Sequence, residues 1–370
     1  MFRISVSVFL FSFLLATTWT VPQIVHGLYF GYTTSLSSDR QASTLSPQVA
    51  ITPQIAATQA GNVYVVWAEL DSDVKDRNIT VQFTASADNG MTFMYPRVLS
   101  DNLSIAASPQ IAATENGSVY VVWVDTNSTN GDSDIVFRTS ADGGKNFGTA
   151  KTLSGDIEGS TSSLLLSSSP QIAATGNSSV YVVWVDTNST NGDSDIVFRG
   201  STTSGEKFGR KVLSRDIQGS PPLLSSSPQI ASPSNGSVYV VWVDTNSTNG
   251  DSDIVFRTST DGGEKFNSKK LSRDIELSPV SPQLAAIQNG NVYVLWVESN
   301  LQFSEILDNG TLVGEVLPLG QTTSAASYPR ITATENGNVY MVWIDRKNST
   351  AEDKIVYFKK SSQFFFDRNM

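Results

Sequence analysis

Cysteine is absent and histidine occurs once, at position 26. No disulfide can therefore hold the fold, and no thiol can serve as a nucleophile. Imidazole acid–base chemistry is excluded for any domain that begins after residue 27. Positive charge is also scarce: 25 basic residues face 35 acidic ones, for a net charge of −10. A surface of that sign repels phosphate backbones, so the chain is not expected to bind nucleic acid. Long apolar runs are missing after the first stretch, in which Arg3 precedes an apolar segment from Ile4 to about Ala16. That order is the order of an export signal, with a core too short to span a bilayer comfortably. Residues 1–27 are expected to be a signal peptide. The alternative is an N-terminal anchor, the chain's one route to a membrane, because weakly polar residues continue through "VPQIVHG". The expected location is secreted or cell-surface. Ten Asn-x-Ser/Thr acceptors, at Asn78, Asn102, Asn116, Asn127, Asn177, Asn188, Asn235, Asn246, Asn309 and Asn348, are consistent with it. The body that remains is large enough to bury a core without disulfide staples.

What the chain does have is repetition. The sixteen residues "WVDTNSTNGDSDIVFR" occur at Trp123–Arg138, Trp184–Arg199 and Trp242–Arg257 without a change. Reading outward, each unit holds a run such as "SPQIAAT", then "SVYVVWVD", then "SDIVFRTS", and last a run ending in "KTLS". Short runs of Val, Ile, Tyr, Trp and Phe between Asn-Gly and Asp-Gly breaks indicate strands joined by hairpins. Trp67, Trp123, Trp184, Trp242, Trp296 and Trp343 recur at spacings of 47 to 61 residues, each with Tyr three positions earlier. The expected fold is all-β: a six-bladed β-propeller of four-stranded antiparallel blades over residues 28–366. The blades fall near 46–100, 101–154, 155–214, 215–272, 273–320 and 321–366. Aromatics at one place in every unit read as packing between stacked sheets. The sixth unit lacks a fourth strand, and "FGYTTSLS" (residues 30–37) matches "FGTAKTLS" (residues 147–154). An N-terminal strand at 30–37 is therefore expected to close the ring.

A second motif lies between third and fourth strands. Its copies are Ser86, Asp88, Gly90, Phe93; Ser140, Asp142, Gly144, Phe147; and Ser259, Asp261, Gly263, Phe266. A degraded copy has Ser201, Gly205 and Phe208, with Thr203 in place of Asp. The pattern S-x-D-x-G-x-x-F suits a compact turn in which the carboxylate accepts backbone N–H bonds and Gly takes φ > 0. The motif resembles the Asp-box (BNR) repeat of the sialidase superfamily. That resemblance implies structural Asp-boxes on the face away from the active site. In an enzyme it also implies an Arg cluster for the substrate carboxylate, a Tyr–Glu nucleophile pair and an Asp acid/base. The catalytic set is expected to be divergent or absent here. Pro53-Gln54 stands where the family's Arg-Ile-Pro motif is expected, and Arg138, Arg199 and Arg257 sit on third strands, away from the axis.

Three sets of candidate site residues remain. A Pro-Gln step beginning each inner strand supplies Gln54, Gln110, Gln171, Gln229 and Gln283, with Arg330 in the sixth unit. This is either a ligand-binding belt or a channel cap. Candidate catalytic groups from the divergent units are Glu69, Asp71, Glu298, Tyr328, Arg330, Asp345 and Arg346. The acidic loops offer Asp125, Asn127, Asp132, Asp134, Asp186, Asp193, Asp195, Asp244, Asp251 and Asp253 as oxygen ligands, with Asp156, Asp216 and Asp274 in the turns between units. Such donors suit Ca²⁺, although the spacing departs from an EF-hand and solvated Asx turns account for the same residues. No cofactor is required. Two functions are compatible with these features. One is a monomeric module that binds glycans or cell-surface proteins, with repeated weak sites giving avidity. The other is an exo-α-sialidase-type glycoside hydrolase.

Overall fold

In the computed structural model the described residues are 33, 35–36, 49–70, 79–101, 104–127, 132–154, 165–188, 193–214, 223–246, 250–272, 279–298, 300–319, 326–346 and 354–361. The chain divides into two units, Met1–Ser35 and Leu36–Met370. Of the first unit only Thr33 and Ser35 are described, and every described strand belongs to the second. The expected leader lies outside the described residues. So does the expected closing strand, apart from Thr33, Ser35 and Leu36, none of which is in a strand.

Every element among the described residues is a β-strand, and the strands track the repeat. The first meander holds β1 (Val49–Ala57), β2 (Val63–Leu70), β3 (Ile79–Ser86) and β4 (Arg97–Val98). The second holds β5 (Ser104–Ala113), β6 (Val119–Asn127), β7 (Ser133–Ser140) and β8 (Lys151–Thr152). The third comprises β9 (Leu165–Ala174), β10 (Val180–Asn188), β11 (Ser194–Ser201) and β12 (Gly209–Val212). The fourth comprises β13 (Leu223–Ala231), β14 (Val238–Asn246), β15 (Ser252–Ser259) and β16 (Asn267–Lys270). In the fifth, β17 (Val280–Ala286), β18 (Val292–Val297) and β19 (Leu301–Leu307) are followed by two short outer pieces, β20 (Leu312–Val313) and β21 (Leu317–Pro318). The last has β22 (Ser327–Ala333), β23 (Val339–Arg346) and β24 (Lys354–Lys360), three strands among the described residues. Pairing within each meander is antiparallel. Parallel pairs Ile79↔Ile105, Ser133↔Leu166 and Ser194↔Leu224 join the first four meanders into one 16-stranded sheet.

The period-2 alternation of each second strand gives it two apolar faces, so each meander from the second to the fifth packs against both neighbours. The Tyr–Phe face of one meander meets the Val–Val–Trp face of the next. Thus Tyr64, Val66 and Phe83 pack on Val119, Val121 and Trp123, and the pattern repeats through four further layers. The Tyr and Phe of one face stack, as in Tyr120–Phe137 with ring centroids 6.2 Å apart. The expected aromatic packing between sheets is therefore present. On the last sheet the corresponding face is open: Val356 is 70% and Phe358 is 64% exposed.

The S-x-D-x-G-x-x-F turns do more than close hairpins. Phe147 meets Phe83 edge-on at 4.9 Å, Phe208 meets Phe137 at 5.2 Å and Phe266 meets Phe198 at 5.1 Å. Each aromatic therefore pins its loop to the preceding meander. The glycine is needed for the same contact. At Gly144 φ is +81°, and an added Cβ would lie 2.4 Å from Cζ of Phe83. A further tie was not read from sequence: a basic residue two positions before each outer Leu-Ser reaches the next turn along the chain. Arg97 donates to the Lys145 carbonyl, Lys151 to the carbonyls of Gly205 (2.8 Å) and Glu206 (3.0 Å), and Lys211 to Glu264.

Candidate functional site

The six first strands lie beside one another in chain order, from β1 through β5, β9, β13 and β17 to β22. The Pro-Gln steps, expected to begin these strands, instead sit inside them, at a register break. The break falls between Ile51 and Gln54, Ala107 and Gln110, Ser226 and Gln229, Val280 and Gln283, and Ser327 and Arg330, with its counterpart in β9 at Ser168–Gln171. Proline cannot donate a ladder hydrogen bond, and a bulge removes the need for one. The residue before each proline is left-handed: Thr52, Ser108, Ser169, Ser227, Ser281 and Tyr328 have φ between 49° and 54°. None is glycine, and proline disfavours that conformation in the residue before it. Such backbone costs on the order of 1–3 kcal/mol each and persists where the surroundings fix it, often at binding or catalytic sites. Of these six hydroxyl-bearing residues only Tyr328 was singled out in the sequence; for the other five the signal was a residue-Pro pair inside a strand-like run.

Gln54, Gln110, Gln171, Gln229 and Gln283 are half-buried at one register position, and Arg330 is exposed at the same position. The Gln283 amide and the Arg330 guanidinium each donate to the carbonyl of the preceding proline, both at 2.9 Å. The belt is thus five amides, five small hydroxyls, one guanidinium and one phenol. Tyr328, which is 70% exposed, lies two residues from Arg330 and makes the sixth strand the odd one of the set.

The carboxylate candidates are less asymmetric than the sequence suggested. Glu69, Asp125, Asp186, Asp244, Glu298 and Asp345 all stand two residues after the repeated Trp. Trp67 donates its indole N–H to Glu69 at 2.8 Å, Trp123 to Asp125 at 3.3 Å and Trp242 to Asp244 at 2.7 Å. Glu69, Glu298 and Asp345 are therefore repeat-equivalent positions rather than features of divergent blades. In the third meander Asp186 lies 3.9 Å from Arg210. Burial, with Asp253 and Asp195 nearby, raises the Asp244 pKa above the usual carboxylate range, against the hydrogen bonds from Ser225 and Trp242. Asp71 lies outside the described residues, and of Arg346 only the backbone, paired with Lys354, is described.

The last aspartate of each acidic loop is engaged locally. Ser154 donates to Asp134, Ser214 to Asp195 at 2.7 Å and Ser272 to Asp253 at 3.1 Å, while Lys270 lies 2.8 Å from Asp253. Each of those serines also accepts a third-strand N–H, so the Leu-Ser ending clasps the acidic strand end. Among the described residues no three carboxylates gather as a cation cage. Asp132, Asp193 and Asp251 border loop tips 128–131, 189–192 and 247–249, which lie outside the described residues together with the side chain of Asn127. Asp156, Asp216 and Asp274 lie outside them too. Arg199 and Arg257 are buried between meanders, Arg257 lying 5.8 Å from the centre of the Trp242 ring, and so do not converge near Arg330.

In the S-x-D turns the serine hydroxyl donates to the carboxylate and accepts the glycine N–H, as in Ser140 with Asp142 (2.7 Å) and Gly144 (2.9 Å). Asp88 and Asp142 are lowered to about 2. At Asp88 the Thr92 hydroxyl is the largest cause, and at Asp142 it is the Asn146 backbone N–H. Asp261 is lowered for the same reason, led by the Lys265 N–H. The Thr203 hydroxyl takes the carboxylate's place at longer range, 3.3 Å from Ser201 and 3.1 Å from the Lys207 nitrogen. A depressed carboxyl stabilises the fold above its unfolded pKa, about 4. That contribution is lost as pH falls through the folded value. We expect Thr203→Asp to raise Tm at pH 7 and Asp142→Asn to lower it. Between pH 4 and 2, Asp142→Asn should show a shallower decline of Tm than the parent. Parallel declines would refute the assignment.

Antiparallel four-stranded meanders, stacked face to face with their first strands side by side, are the architecture of a β-propeller. The chain has a sialidase-like propeller fold. A Hadza microbial sialidase is 14% identical with a TM-score of 0.50; the match covers 79% of this chain and 62% of that protein, so the chain spans less than two thirds of it. An ulvan lyase, a polysaccharide lyase, is 12% identical with a TM-score of 0.55, over 83% of this chain and 77% of the other. A leech intramolecular trans-sialidase is 11% identical with a TM-score of 0.50, over 90% and 70%. No protein-family model and no curated protein matches the sequence.

Proposed function

We propose that the chain is an exported six-bladed propeller that binds glycans, with the bulged inner strands as its binding belt and Tyr328 and Arg330 as its anchor. The observation that carries this reading is the sixfold left-handed bulge, altered only in the last strand to an exposed phenol and guanidinium. Amides and hydroxyls hydrogen-bond sugar hydroxyls, and a guanidinium selects a carboxylate by two parallel bonds. The propeller neighbours named as sialidases and a polysaccharide lyase support a carbohydrate ligand. Hydrolysis is the second reading, supported by those names. Against it, Glu69, Asp125 and Asp244 already hold indole N–H groups and Arg257 lies under Trp242. A glycan array carrying sialosides, uronates and neutral sugars, read beside turnover of a fluorogenic sialoside, separates the two. Saturable binding without turnover is expected; turnover abolished by Arg330→Ala would establish the enzyme.

Ca²⁺ at the acidic loops is a separate proposal, resting on the oxygen donors at Asp125–Asp134 and its two copies. Millimolar Ca²⁺ added to chelated protein should raise Tm, and an unchanged Tm removes the idea.

A further inference from the structure

We propose that Asn116 and Asn177 carry N-linked glycans, and that Asn235, the third acceptor at the equivalent hairpin, does not. The inference rests on the export reading. All three tip the hairpin between first and second strands, and all three lie in Asn-x-Ser triplets. In each the side-chain oxygen is needed by the turn. Asn116 Oδ1 accepts the Thr114 hydroxyl at 2.6 Å and the Ser118 N–H at 3.0 Å. Asn177 Oδ1 accepts the Thr175 hydroxyl and, at 3.3 Å, the Ser179 N–H. Asn235 Oδ1 accepts the Ser237 N–H at 2.9 Å.

The amide nitrogens differ. All three residues are exposed, and among the described residues the amide nitrogens of Asn116 and Asn177 make no hydrogen bond. That of Asn235 donates to the Gln288 carbonyl and to Asn309 Oδ1, both at 3.2 Å, bridging to the next meander. Asn309 is locked from the other side, its carbonyl accepting the Thr258 hydroxyl at 2.9 Å. Glycosylation joins Nδ2 to sugar C1, breaks the C1–O bond of a lipid-pyrophosphate-linked oligosaccharide and releases the lipid pyrophosphate with one amide proton. At Asn116 and Asn177 the turn keeps its oxygen and loses nothing. At Asn235 the sugar would occupy the gap the nitrogen bridges, so that glycoform folds less well. Neighbouring contacts hold the tips in place: Gly143 donates to the Gly117 carbonyl at 2.9 Å and Ser204 to the Ser178 carbonyl at 2.8 Å. The glycans at Asn116 and Asn177 would stand at the S-x-D turn end of the sheets.

The test is secretion of the full chain from glycosylating eukaryotic cells, enzymatic glycan release in heavy-oxygen water and peptide mass spectrometry. Label is expected at Asn116 and Asn177 and not at Asn235 or Asn309. Ser118→Ala and Ser179→Ala should each remove one glycan while keeping the turn. Retention of the chain inside the cells would count against the export reading alone, and the measurement is then repeated behind the host's own leader. A secreted chain without label at Asn116 and Asn177, or with equal label at Asn235, overturns the proposal.

Discussion

Arg330→Ala should weaken binding of a carboxylated glycan by roughly tenfold to a hundredfold, a loss of about 1.4–2.8 kcal/mol, and leave Tm near that of the parent. The guanidinium is exposed and its one described hydrogen bond is to its neighbour's carbonyl, so little of the fold depends on it. Arg330→Lys should recover only part of the affinity, because an ammonium offers no planar fork. Arg330→Gln restores the amide of the other five strands and should bind neutral sugars as well as the parent does. Titration calorimetry with sialosides and uronates, set against neutral oligosaccharides, reads these differences. Equal loss for charged and neutral ligands would show that Arg330 is not a carboxylate anchor.

Trp242→Ala is expected to be the most damaging single change to stability, at about 3–5 kcal/mol and a fall in Tm of roughly 10 °C. The ring is fully buried between the third and fourth meanders, packed with Phe198 and Leu213. Its loss opens a cavity, leaves the buried Asp244 carboxylate with the Ser225 hydroxyl but without the indole N–H, and uncovers Arg257. Calorimetry or denaturant titration measures it. Trp242→Phe fills much of the space and should separate the hydrogen-bond share from the packing share. A Tm change under about 2 °C for the alanine variant would contradict the stacked-sheet account, because a ring with no layer above it costs little to remove.

Strands, their order and their packing aromatics were legible because each arose from a local period. Alternation set the faces of VYVVWVD, and Asn-Gly and Asp-Gly pairs set the hairpins. The candidate site was half legible. Gln54, Gln110, Gln171, Gln229, Gln283 and Arg330 stand out as a repeated step, but composition alone starts each strand too late, at Pro53 and its equivalents. A bulge leaves no compositional mark beyond proline itself, so nothing local announces the left-handed residues before it. Glu69 and Asp345 look asymmetric in the sequence because the loops beyond them differ, although their own positions repeat.

The sequence by itself determined that this is a stack of near-identical β-meanders with a Ser–Asp–Gly turn recurring within them and no cysteine for thiol chemistry. These are properties of short segments, fixed by side-chain alternation and by the few residues that accept φ > 0. Only the tertiary structure decided who touches whom. It placed the turn's Phe on the preceding sheet, the basic outer residue on the next one, the acid after Trp67, Trp123 and Trp242 on its own indole, and Tyr328 and Arg330 in an otherwise uniform belt. Contacts between layers join residues more than forty positions apart, as in Lys151 with Gly205, and no local pattern encodes which of two apolar faces a neighbour will cover.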